Sequence, residues 1–152
     1  MPTPEGGAPQ GAEFTPEQLL RQAQGNATAV VLLTMAYLKE RGLTVEEWAA
    51  YIGRRFAPGW EGLRGQGAAA AARAAALNAV SAGGELVALS GDEARAEAIV
   101  SGWPDAALLE LAGLTRDDAD AFLATFVPIA EHLGLRFAWR REDDRVVLTF
   151  TR

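Results

Sequence analysis

Cysteine is absent from this chain of 152 residues, and histidine occurs once, at His132. The first absence excludes disulfides, thiolate metal ligands and a cysteine nucleophile, and leaves the redox compartment open. The second leaves too few imidazoles for a multi-histidine zinc site within one chain, so no metal site is expected. Positive charge is in deficit as well. Against 20 Asp and Glu stand 14 Lys and Arg, giving a formal net charge of −6 and a pI near 4.8. Nucleic-acid binders usually present a basic surface that displaces counterions, so this acidic protein is expected to have no nucleic-acid partner. Long hydrophobic runs are missing too. The longest, Ala29 to Leu38, is about half of the roughly 20 residues that a membrane-spanning helix needs. No basic start followed by an apolar core marks a signal peptide. The expectation is a cytoplasmic protein without a membrane partner. There is no Gly-x-Ser-x-Gly elbow, His-Glu-x-x-His pair or dinucleotide fingerprint. The glycine-rich EGLRGQG at 61–67 lacks the Gly-Lys-Ser/Thr ending of a phosphate loop. The sequence therefore names no cofactor.

What is present suits one globular domain. Hydrophobic residues make up 49% and charged residues 22%, and the length allows one core without staples. Residues 1–14, MPTPEGGAPQGAEF, are rich in Pro and Gly and read as a disordered, flexible tail before a single domain over 15–152. Thr15-Pro16-Glu17 opens a helix, which Gly25-Asn26 is expected to break or kink. Ala29 to Leu38 is apolar on every side except at Thr34, so it needs cover all round, from the core or a second subunit. Thr44 with Glu47 forms a capping box for a helix that turns Val45, Trp48, Ala49, Ile52 and Phe56 to one face and stops at Pro58-Gly59. Residues 68–82 form an alanine-dominated helix that other backbones can approach closely.

After Glu85 the pattern changes to strands. ELVALS and EARAEAIVS pair around Gly91-Asp92, with Ala94, Ala96, Ala98 and Val100 packed and Arg95 and Glu97 wet. Pro104 opens a short helix. Thr115 caps a longer one over 116–133, with Ala119, Phe122, Phe126, Ile129 and Leu133 inward and a kink at Pro128. A second hairpin closes the chain, with Leu135, Phe137 and Trp139 alternating against Val146, Leu148 and Phe150. Helices, hairpin, helices, hairpin give an α+β fold in which a helical N-terminal half packs on an antiparallel sheet of about four strands, with a long helix between the hairpins.

Candidate site residues centre on Thr44 to Trp60, where aromatic surface lies beside fixed positive charge. Helical projection sets Arg55 near Trp48 and Tyr51 at the margin of the apolar face, and turns Arg54 to solvent. Arg55 could then stack on a ring or pair with a carboxylate, with Trp60 nearby. Arg73 is the one charge of the alanine helix, on the same side as Leu77 and Val80, a buried anion receptor or, more simply, half of an internal salt bridge. His132, near a helix C-terminus, could act as acid or base with Glu131 or Glu47 assisting. ERGLTVEEWAAYIG is similar to the start of a helix-turn-helix, but Pro58-Gly59 would break its second helix at once.

The paired helices up to RRFAPGW, the hairpin GGELVALSGDEARAEAIVSGWP and the ending EHLGLRFAWRREDDRVVLTF together resemble small α+β proteins of the 4-vinyl-reductase-like and aminothiazoline-carboxylate-hydrolase-like kind, over residues 28–152. The resemblance implies helices packed on an antiparallel sheet, often in a dimer around a ligand pocket. It carries no catalytic residue across, because the cysteine and histidine positions available to such proteins are mostly missing here. The leading expectation is a domain that binds a small, partly apolar molecule, an anion where arginine receives it, in an aromatic pocket lined by Arg55, Trp48, Tyr51, Trp60 and Arg73. The alternatives are a small hydrolase or lyase using His132, and a structural homodimer formed through the 29–38 helix or the alanine helix.

Overall fold

In a computed structural model, which describes residues 13–152, each turn from helix to strand follows a local signal. The expected tail over 1–14 lies outside the described residues except for Glu13 and Phe14. Helix α1 spans Pro16–Glu40 and opens with a capping box. The Thr15 hydroxyl accepts from the Gln18 N–H at 3.2 Å, and the Gln18 side chain accepts from the Thr15 N–H at 2.9 Å. Gly25-Asn26 does not break this helix. One interior glycine costs only about 1 kcal/mol, and Asn26 is occupied by a 2.8 Å bond from Gln22 Nε2 rather than by the backbone.

Helix α2 spans Val45–Phe56 with Thr44 as N-cap, but the expected capping box does not close. The Thr44 hydroxyl donates to Glu47 Oε2 at 3.0 Å instead of accepting from the backbone. Its buried stripe is Val45, Ala49 and Gly53, while Phe56 is exposed. Gly53 sets that rotation: a Cβ there would lie 2.1 Å from Thr125 O and 2.6 Å from Pro128 Cγ. A 3₁₀ helix over Ala57–Leu63 carries the chain past Pro58 to α3, Ala68–Ser81.

Strands β1 (Glu85–Gly91) and β2 (Arg95–Ser101) form the first hairpin. Its connection is longer than the expected Gly91-Asp92 turn, because Asp92 Oδ1 accepts from the N–H groups of Ala94 and Arg95. The same loop caps α3, with the Ala68 and Ala69 N–H groups donating to Glu93 O and Asp92 O. Helix α4 (Ala106–Ala112) begins at Asp105, whose carboxylate accepts from two backbone N–H groups, and ends at left-handed Gly113. The expected long helix over 116–133 is three pieces: α5 (Arg116–Asp120), a 3₁₀ helix (Ala121–Thr125) and α6 (Phe126–His132). Pro128 sits in the first turn of α6, where its missing N–H has no intrahelical partner to lose, so the break precedes the proline instead of forming at it.

Strands β3 (Arg136–Glu142) and β4 (Arg145–Thr151) complete an antiparallel sheet in the order β1-β2-β4-β3. The architecture is α+β, with the helices mostly in the N-terminal half. On the inner face Ala98, Leu148 and Trp139 share one row, and Ala96, Phe150 and Phe137 the next. Helix α3 lies over these rows, and its Ala68, Ala71, Ala72, Ala75 and Ala76 are buried in the sheet-side core. A second core joins Leu32 and Met35 of α1 to Val45, Leu109, Leu114 and Ala119. The all-round cover expected for 29–38 is not present, since Val30, Leu33 and Tyr37 are exposed. Among the described residues no helix is long and apolar enough to cross a membrane.

Candidate functional site

The outer side of α3 and edge strand β1 form one of several concave features of the surface. It is a groove of about 580 Å³ lined by Leu63, Gln66, Ala70, Arg73, Ala74, Leu77, Val80, Leu86 and Leu89. Its walls follow from α3's two faces. The buried alanines face the sheet, so Arg73, Leu77 and Val80 are left on the outside, and β1, paired only on its β2 side, presents Leu86 and Leu89 to them. Arg73 is exposed and forms no ion pair among the described residues, which corrects the expectation of a salt bridge. Its helix holds no acid, and its guanidinium is the one charged group in the groove lining.

The second feature is a smaller cavity of about 100 Å³ between the end of α3, the sheet and the α5–α6 region. Its walls include Trp103, Phe122 and Phe126, and at one end Arg141 grips Asp120 through two 2.6 Å hydrogen bonds, Nε to Oδ2 and Nη2 to Oδ1. These bonds to Asp120 push the Arg141 guanidinium above its ordinary value, with burial opposing. Both side chains are largely buried, and Arg141 also donates to Asp143 O. With its charge matched inside the protein, Arg141 is tied to the helical half and has no preference left for an anion.

The residues expected to form a site are dispersed. Trp48 turns inward and meets Phe122 at 5.5 Å in the helical core. Tyr51 and Arg55 lie exposed on α2, because its inner stripe runs through Ala49 and Gly53. Trp60 packs edge-on against Phe126 at 6.0 Å, under the sheet. His132 is half-buried at the end of α6, and its Nε2 faces Glu61 Oε2 at 2.5 Å, without the alignment of a hydrogen bond. The acid beside it is therefore Glu61, not Glu131 or Glu47. Glu61 also accepts from Arg64 Nε and Nη2, and chiefly for that reason, with help from His132, its carboxyl is held below the ordinary range. Of the six residues, Arg73 alone lines a concave feature among the described residues.

Sequence reasoning passed over Asp120 and Arg141. Asp120 reads as one of three helix-start acids with Asp117 and Asp118. Yet Arg141 continues the inward alternation of Phe137 and Trp139, and an inward arginine requires a carboxylate or equivalent partner. Among the described residues no group of three or more His, Cys, Asp or Glu converges as a metal site. No protein-family model, curated protein or solved structure matches this chain.

Proposed function

We propose that the protein is a small-molecule-binding domain whose α3–β1 groove takes a partly apolar anion, such as a medium-chain or aryl carboxylate, with Arg73 against the charged end. One observation carries this reading: an exposed guanidinium without a carboxylate partner among the described residues stands in a groove whose other lining residues are apolar apart from Gln66. Small-molecule sites commonly combine apolar walls with a few polar anchors, and a guanidinium matches a carboxylate through two parallel N–H···O bonds. The net charge of −6 opposes long-range attraction of an anion. Affinity in this reading comes from apolar contact and from Arg73 at short range.

Thermal unfolding with decanoate and with uncharged decanol tests it. A ligand at 100 times its Kd adds about 2.7 kcal/mol, which for a domain of this size raises Tm by roughly 5–10 °C. Decanoate should stabilise the wild type more than decanol does, and Arg73→Gln should erase that preference with about a tenfold loss of affinity, or 1.4 kcal/mol. Equal decanoate shifts in both proteins, or none in either, would remove the proposal. The second reading is a small hydrolase or lyase with His132 as acid or base, favoured by the Glu61 carboxylate at its Nε2. Undiminished turnover of a discovered substrate by His132→Gln would eliminate it.

A further inference from the structure

Helix α1 is 25 residues long, about 37 Å at 1.5 Å per residue, yet only its second half lies against the domain. Every residue from Pro16 to Ala23 is exposed, and the buried positions are Thr28, Leu32 and Met35. The projecting half is a helical arm, and a short helix without packing is marginal in water.

Along the open side of α1, Leu19, Ala23, Asn26, Val30, Leu33 and Tyr37 follow one another at alternating intervals of four and three. That alternation carries a seam straight along a helix that pairs with another helix. All six positions are exposed, Leu19 by 57%, Val30 by 65%, Leu33 by 48% and Tyr37 by 52%. With Leu20 and Ala27 beside them, they present on the order of 700 Å² of mostly apolar helix surface, the upper limit of what pairing could bury here, against the ~800 Å² each partner buries in a standard interface. The flanking positions Leu20, Gln22, Ala27, Ala29, Thr34 and Ala36 carry no charge. Two copies of a chain with net charge −6 can therefore meet along this seam without like charges at its edges.

We propose that α1 forms the contact of a homodimer, the two helices pairing antiparallel about a twofold axis near residue 28. In that register Leu19 meets the partner's Tyr37, Ala23 meets the partner's Leu33, and Asn26 meets the partner's Val30. The exposed arm of each copy covers the exposed Val30–Tyr37 stretch of the other, and the surface is its own complement, as a twofold contact requires. The α3–β1 groove takes no part, so this proposal and the ligand reading fail or stand separately.

Sedimentation at micromolar concentration should give a dimer for the wild type and a monomer for Leu33→Asp. That side chain is already half exposed, and circular dichroism checks that the variant is folded. The cysteine-free chain makes disulfide trapping free of background for orientation. Leu19→Cys protein mixed with Tyr37→Cys protein should form the mixed disulfide in high yield, while Leu33→Cys alone should not cross-link to itself. A monomeric wild type, a dimer that survives Leu33→Asp, or self-cross-linking of Leu33→Cys in preference to the mixed pair would each overturn the proposal.

Discussion

Under the sheet, α3 contributes five buried alanines, whereas in the helical core α1 contributes Leu32 and Met35 and leaves Val30, Leu33 and Tyr37, all bulkier than alanine, outside. The smaller residues are the better covered. The sheet and α6 supply what alanine lacks: Phe126 of α6 with Phe137 and Phe150 of the sheet lie 4.9–6.4 Å apart, centroid to centroid, and Trp139 stacks on Phe137. Among the described residues α1 is covered instead by α2, α4 and α5, with Trp103 donating to its Thr28 hydroxyl. Completeness of a core here depends on how much surface faces an element, not on how hydrophobic that element is. The two regions meet at Phe122, which touches both Trp48 and Trp103, and at the Asp120–Arg141 pair.

Removing that join has the largest expected effect. Asp120→Ala leaves Arg141 buried without its counter-charge and should cost about 3–5 kcal/mol in denaturant unfolding. The double change Asp120→Leu with Arg141→Met should recover most of that loss, since apolar replacements of a buried pair are often neutral. A single-variant cost under about 1 kcal/mol would show that the pair does not hold the halves together. The next comparison uses one substitution in two helices. Gly53→Ala forces a Cβ against the Thr125 carbonyl and should destabilise by about 1–3 kcal/mol. Gly25→Ala on the open part of α1 meets nothing within 4 Å and should stabilise by about 0.4–1 kcal/mol. The same sign at both positions would contradict the contrast between a packed α2 and an open arm.

The smallest effect lies where α1 meets α5. Lys39 Nζ sits 2.8 Å from Asp118, which also accepts from the Thr115 N–H, and these bonds hold the Asp118 carboxyl below its ordinary range. A depressed folded value stabilises above the unfolded pKa of about 3.9 and is lost as pH falls through the folded one. Asp118→Asn keeps an acceptor for the Thr115 N–H but loses the charge, and should lower stability by about 0.5–1 kcal/mol at pH 7 through the helix dipole and the charge-assisted bonds, the exposed Lys39 adding only tenths. The gap from wild type should close below about pH 4. A gap unchanged by acid would assign the stabilisation to something other than the carboxylate.

Strands were legible from the sequence because alternation is a local signal: Phe137, Trp139, Val146, Leu148 and Phe150 face inward as their spacing requires. Helix continuity was less so. Gly25-Asn26 looks like a break and is not, and Pro128 looks like a kink and is a first-turn residue, since both outcomes depend on neighbours that the sequence does not display. The candidate site was least legible. Projection set Arg73 on one side with Leu77 and Val80 but did not show that this side faces outward, and the groove beside it is made by β1, distant in sequence. The cluster at Trp48, Tyr51 and Arg55 was dispersed by Gly53, whose missing side chain draws α2 against Thr125 and rotates its outer residues away from any wall.

Strand β4 lies between β2 and β3 although it follows both in the chain. During synthesis, residues 145–151 emerge after every segment they join. Until then β2 has one unpaired edge, β3 has no partner in the sheet, and the alanine side of α3 lacks part of its covering. The helical core, drawn mainly from α1, α2 and α4, has no such dependence on β4. A nascent chain would thus hold a formed helical half beside a β-hairpin with an open, hydrogen-bonding edge, the condition in which chaperone engagement or edge-to-edge association between chains is most favoured.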